Sequence, residues 1–331
     1  MLPYPRMPYP YPPGICYPLT ECCMYLLFIL CCIHAYKKGI GNMMYLFGGL
    51  GFGLLLEYVN VATNAGYRYG QFWIMLGFAP DNIPLCIGVS WAAIIYTSRL
   101  ISDALGMPLW TAAALDALLA INIDLSMDVV AYRLHMWHWD WESRAPQYDS
   151  LTAQWFGVPY GNFYGWLCVV FFYSSFARLL EKLNIKKTLG ARLWKISIPF
   201  LSIAISQVTL YLSLFPLADL LNKFGITSIH RLIALLILFI ILSLIGYRRR
   251  SQHMVRNDTL PVVSWLLPVW FHLYFFAWLF IGGFYRENTW MTVWSVVSVI
   301  AGIIVHWWLT IRLRRVPVTA STNAISTATS L

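Results

Sequence analysis

Nine stretches of about 20 largely apolar residues limit what this chain can fold into. They fall near residues 17–36, 43–61, 82–102, 108–130, 159–180, 194–214, 229–247, 260–282 and 290–311. Each is long enough to cross ~30 Å of hydrocarbon as a helix. In lipid a backbone must satisfy its own polar groups, which a helix does within one segment; a barrel would read as short alternating runs instead. Only 11% of the residues are charged, against about 25% in a soluble domain. The expected fold class is therefore all-α, a polytopic membrane helix bundle of about nine transmembrane helices, integral to the cell membrane with the lipid bilayer as its surroundings.

The net charge of +9 does not point to nucleic acid, because the basic residues follow topology. Lys37, Lys38, Arg99, the run from Arg178 to Lys195, Arg248 to Arg256 and Arg312 to Arg315 all fall after alternate spans. That puts 16 of the 23 Lys and Arg on one side, which predicts a cytoplasmic carboxyl terminus and an external amino terminus. The loops 62–81 and 131–158 then share the external side. Five of the seven cysteines crowd the first span, where thiols pack as small apolar groups, and none forms a Cys-x-x-Cys pair.

Four regions are expected. Residues 1–16, rich in Pro and Tyr, read as an extended segment at the interface. Residues 17–181 hold the acidic and aromatic residues, residues 182–315 form a plainer four-helix membrane part, and residues 316–331 are a polar tail of disordered composition.

Charges within a span are costly, so each requires a reason. Span two holds Glu57; span four holds Asp116, Asp124 and Asp128, which at 100° per residue share an arc of roughly 120°. With no Lys or Arg inside span four, these carboxyls must line a polar cavity, or else bond across the bundle as helix glue. A carboxylic acid kept neutral by its surroundings can act as a general acid. The glycines of GGLGFG, Gly48 to Gly53, lie within an apolar span with no strand before them, so they serve close helix packing rather than phosphate binding.

The stretch WHWDWE, Trp137 to Glu142, admits three readings: a metal site with His135 and His138, an interfacial aromatic belt, or the lip of the acidic cavity. The remaining histidines are scattered singly, so no metal is expected, and no cofactor either. The aromatic lip is the expected role, with ring faces that tolerate a passing cation. In the other external loop, Gly66-Tyr67-Arg68-Tyr69-Gly70 offers Arg68 as a counter-ion for a carboxylate. Asn162, in the turn into span five, is placed to orient a carboxyl or a water.

In this order, the motifs resemble the integral-membrane carotenoid biosynthesis family that includes γ-carotene hydratase and bisanhydrobacterioruberin hydratase. The features that carry the resemblance are Glu57 with Gly66 to Gly70, Ile83-Pro84-Leu85 with Ser90-Trp91, the three aspartates, Trp137-x-Trp139, Phe156-Gly157-Val158-Pro159, and Asn162-Phe163-x-Gly165-Trp166. It covers residues 45–180. The chain departs from the family in carrying Val129 where proline is usual and His135 where glycine is usual. The resemblance implies cofactor-independent addition of water to a terminal isoprenoid double bond, by protonation and capture of the cation. It points to Asp124 or Asp128 as the acid and Glu57 or Asp116 as the group that orients water. Tyr67, Tyr69, Trp137, Trp139 and Trp166 would face the cation, and Arg68 and Asn162 would lend polar support. A carotenoid or other long isoprenoid is the implied partner, with other enzymes of the same pathway as further partners. A membrane prenyl or carotene cyclase, or a proton-coupled lipid transporter, would use the same carboxyls.

Overall fold

A computed structural model of the chain describes residues 9–63, 67–141, 151–183, 190–250 and 260–314. The first eight residues, Asn64, Gly66, Glu142 and the polar tail lie outside the described residues. The long helices are α1 (Cys16–Lys38), α2 (Ile40–Thr63), α3 (Leu85–Ala104), α4 (Leu109–Arg133), α5 (Tyr160–Lys182), α6 (Ala191–Leu214), α8 (Ser228–Arg248), α9 (Val263–Ile281) and α10 (Thr289–Arg314). A short α7 (Pro216–Lys223) follows a backbone break at Phe215. Among the described residues, eight helical segments are long and apolar enough to cross a membrane. The ninth long helix, α4, carries the three aspartates, and the protein is an all-α polytopic bundle.

Helix α4 runs through the middle, packed by α3, α5, α8, α9 and α10. Its sequence explains the position. Ala112, Ala113, Ala114, Ala117 and Ala120 leave little side chain between backbones, and all are buried. Pro84, Pro108 and Pro159 stand in extended conformation immediately before α3, α4 and α5, where a missing N–H costs nothing to the helix that follows. In α2, a Cβ at Gly53 would lie 2.6 Å from that of Trp91, and one at Gly49 would lie 3.2 Å from the Ala92 backbone. These two glycines allow α2 and α3 to meet, which carries Glu57 inward.

The two loops predicted to share one side pair directly. Strand β1 (Tyr67–Tyr69) comes first, then the minor hairpin of β2 (Met75–Leu76) and β3 (Ile83–Pro84), and finally β4 (Trp137–Trp139). β1 and β4 are antiparallel, with Tyr67 opposite Trp139, Arg68 opposite His138 and Tyr69 opposite Trp137. Because side chains alternate across a strand, the two tyrosines and two tryptophans share one face. The hairpin is pinned to α1 by Glu21, whose carboxylate accepts the Trp73 N–H at 2.6 Å and the Ile74 N–H at 3.3 Å.

Candidate functional site

The aromatic face of β1 and β4 closes one end of a cavity of about 730 Å³. Glu57 from α2, Trp91 from α3, Asp128 from α4, and Asn162 and Trp166 from α5 line its walls, with Gln207 and Tyr211 from α6. A volume of this order suits a small-molecule ligand.

At its acidic end, Asn162 Nδ2 donates to Asp128 Oδ2 at 2.6 Å and to Asp124 Oδ2 at 3.2 Å. One turn of helix separates the aspartates, so their carboxyls share a face. Both are buried, at 0% and 2% exposure, but Asp128 reaches the cavity wall and Asp124 sits behind it. Among the described residues, Asp124 Oδ1 has no hydrogen-bond partner. The Asn162 amide thus holds two buried carboxyls that also hydrogen-bond each other.

Across the cavity, Trp91 Nε1 donates to Glu57 Oε1 at 2.8 Å. Tyr67 donates to the Tyr69 hydroxyl at 3.2 Å, and Tyr69 is hydrogen-bonded to Glu57. Burial, reinforced by the Glu57 charge, holds both tyrosine hydroxyls well above the ordinary phenol value, so they remain donors. The Tyr67 ring lies 5.7 Å from Trp139, Tyr69 lies 6.4 Å from Trp137, and Trp91 and Trp166 approach to 4.1 Å. Ring faces and edges thus wall a space with carboxyls at two sides.

Two expected members of the site lie elsewhere. Asp116 is eight residues before Asp124, about 12 Å along the helix. It accepts from Arg178 Nη1 at 2.6 Å and from Ser174 Oγ at 2.5 Å, inside a charged network with Asp103, Arg99 and Glu181. The compensating cation absent from span four comes from α5, so Asp116 does not belong to the cavity. Arg68 turns away from the carboxyls as well. It pairs with Asp81 at 3.2 Å and donates to the Val61 and Tyr67 carbonyls, fastening β1 to the end of α2. The alternation of the strand sends Arg68 and His138 to the face opposite the tyrosines.

His138 stacks on Tyr132, and burial lowers its pKa to about 4, so it is neutral near pH 7. His135 bonds the Tyr9 carbonyl and stacks on Tyr11. Its φ of 59° lies in the left-handed region, which side chains other than glycine adopt only rarely. Among the described residues no group of three His, Cys, Asp or Glu is placed to hold a metal.

Sequence reasoning missed Gln207 and Arg231 in the wall. Gln207, a lone amide in an apolar span, was detectable by the cost of a polar group in lipid. Arg231 was not, because near the first turn of a helix it reads as an ordinary interfacial charge.

No curated protein and no solved structure matches the chain. The sequence profile of a family described as carotenoid biosynthesis protein matches residues 20–245. The match extends beyond the 45–180 covered by the motifs and takes in every cavity-lining residue except Phe271 and Phe275. The chain belongs to the carotenoid biosynthesis protein family.

Proposed function

We propose that this cavity hydrates a terminal isoprenoid double bond of an acyclic carotenoid, without a cofactor. The observation that carries the proposal is the Asn162 amide bridging Asp124 and Asp128 beside an aromatic-walled cavity. Hydration requires a proton donor, a wall that tolerates a cation, and a group that aligns water. Asp128, the member of the pair on the cavity wall, gives its proton to the less substituted alkene carbon. The π bond supplies the electrons for the new C–H bond and leaves a tertiary cation.

The faces of Trp137, Trp139 and Tyr67 stabilise that cation by up to about 2 kcal/mol per well-placed ring. Water held by Glu57 adds to the cation and loses a proton to the carboxyl system, which is restored when Asp128 is reprotonated. The sum is alkene plus water to tertiary alcohol. Asp124 and Asn162 act as positioning residues: they hold the Asp128 carboxyl in place and share its proton. Asp116, at the far end of α4, has no part in this step.

The test is expression in a host that accumulates an acyclic carotene such as lycopene, with pigment masses read by mass spectrometry. The expected product is heavier by one or two waters, and Asp128→Asn lowers its yield by about 100-fold or more, the usual contribution of a positioned general acid. An isomer of unchanged mass would show cyclisation instead, and unchanged carotene would end the hydratase reading.

A further inference from the structure

Strands β1 and β4 line one part of the cavity, and helix faces make up the rest of its wall. Among its described lining residues, four are exposed: Thr63, Val208, Tyr211 and Phe215. Val208 is 61% exposed, Tyr211 57% and Phe215 44%, while they also face the cavity. Thr63 ends α2; the other three fall on the last two turns of α6 and the break that follows it. These residues lie on α2, α6 and the break that ends α6, and both helices are long and apolar enough to span a membrane, so the opening is a slot in that outer surface.

What frames the slot is also built. Helix α6 stops at Phe215, with φ −115° and ψ −80°, and Pro216 begins α7. Arg231 on α8 holds α7 in place: Nη1 donates to Asn222 Oδ1 at 2.8 Å, to the Ile226 carbonyl at 2.9 Å and to the Ala218 carbonyl at 3.3 Å. Its guanidinium stands 5.7 Å from the Tyr164 ring. Ala218 and Arg231 both line the cavity, so the clamp fixes the rim.

We infer that a long apolar isoprenoid chain enters this cavity sideways from the bilayer, through the slot between the carboxyl-terminal ends of α2 and α6, with Val208, Tyr211 and Phe215 binding the chain rather than its reacting end. The inference rests on the proposed substrate class but not on the chemistry performed. A polyene partitions into lipid, so a side entry spares it any passage through water. The second half of the protein, α6 to α8, then selects the isoprenoid chain, while the first half supplies the carboxyls.

The experiment uses the full-length protein in vesicles loaded with an acyclic carotene, and reads both carotene retained per purified protein and product mass. Val208→Trp, which plugs the slot from an exposed position, is expected to lower retained carotene at least tenfold. Phe200→Trp is the control, on the same helix, 63% exposed and outside the cavity lining; it keeps wild-type retention. Equal retention by the two variants, equal loss by both, or no retention by the wild type would overturn the slot. Retention that depends on Val208, with no change of mass in any product, would uphold the slot and end the hydratase reading instead.

Discussion

Asp116 and Asp128 are the same residue type on one face of one helix, yet their neighbours give them different work. Asp116, 0% exposed, is paired with Arg178, 7% exposed, and breaking a buried pair strands the partner's charge. Asp116→Asn is expected to cost about 3 kcal/mol of stability, because Arg178 loses one of the two carboxylates that pair with it and keeps Asp103, while turnover per folded molecule stays within twofold. Thermal unfolding in detergent and product yield per folded protein check the two halves separately. His138 makes a second prediction. Burial holds its folded pKa near 4, below the ordinary histidine value of about 6.5, so the folded state resists protonation. As pH falls from 6.5 towards 4, the unfolded chain gains the proton first, and stability on the order of 3 kcal/mol is lost. His138→Phe should flatten that part of the thermal-midpoint profile relative to wild type. The identity of the carboxyls was legible in the sequence, since a charge in an apolar run is conspicuous. Their division into structural and cavity-lining groups was not, since Arg178 lies 62 residues away from Asp116.

At the scale of elements, the Gly-rich stretch of α2 sets how closely that helix approaches α3, and so where Glu57 meets Trp91. Alanine is the better helix former by roughly 1 kcal/mol, so a substitution judged by propensity alone would stabilise. At Gly53 the added methyl would stand 2.6 Å from Trp91 Cβ, and overpacking of this kind costs about 1–3 kcal/mol. Gly53→Ala is therefore expected to lower the thermal midpoint and the product yield together. Gly51→Ala, whose nearest neighbour is the end of Ile203 at 3.5 Å, should do neither. The same scale decides the WHWDWE stretch. Its alternation is legible in the sequence as a lip, but pairing with Tyr67-Arg68-Tyr69 selects which members face the cavity. Trp137 and Trp139 line it, whereas Trp141 Nε1 donates to the Gly157 carbonyl and fixes the loop behind.

For the whole molecule, the structure holds charged fastenings at both ends of α4. Near its amino-terminal half, Arg178, Arg99, Asp103, Asp116 and Glu181 join α3, α4 and α5. At its carboxyl-terminal end, the buried Arg133 pairs with Glu287 and donates to the Phe156 and Leu151 carbonyls, while Tyr9 donates to the same Glu287 at 2.6 Å. The topology we propose from the basic bias of the sequence puts the first fastening on the cytoplasmic side and the second outside. In a background whose seven cysteines are replaced, a membrane-impermeant maleimide added to intact cells should label Phe78→Cys and spare Lys37→Cys. The reverse pattern would invert the topology.

The sequence by itself determined the class of structure, the span positions to within several residues, the family, and the residue types that had to be explained. It could do so because the cost of a polar group in lipid is local and large, and is written in composition and run length. Only the tertiary structure decided which charges neutralise one another, which face of β1 turns inward, and that α6 to α8 wall the cavity formed by the first half. Those outcomes depend on side chains far apart in the sequence, 62 residues for Asp116 and Arg178 and 154 for Arg133 and Glu287, and no periodicity in one segment records its partner in another.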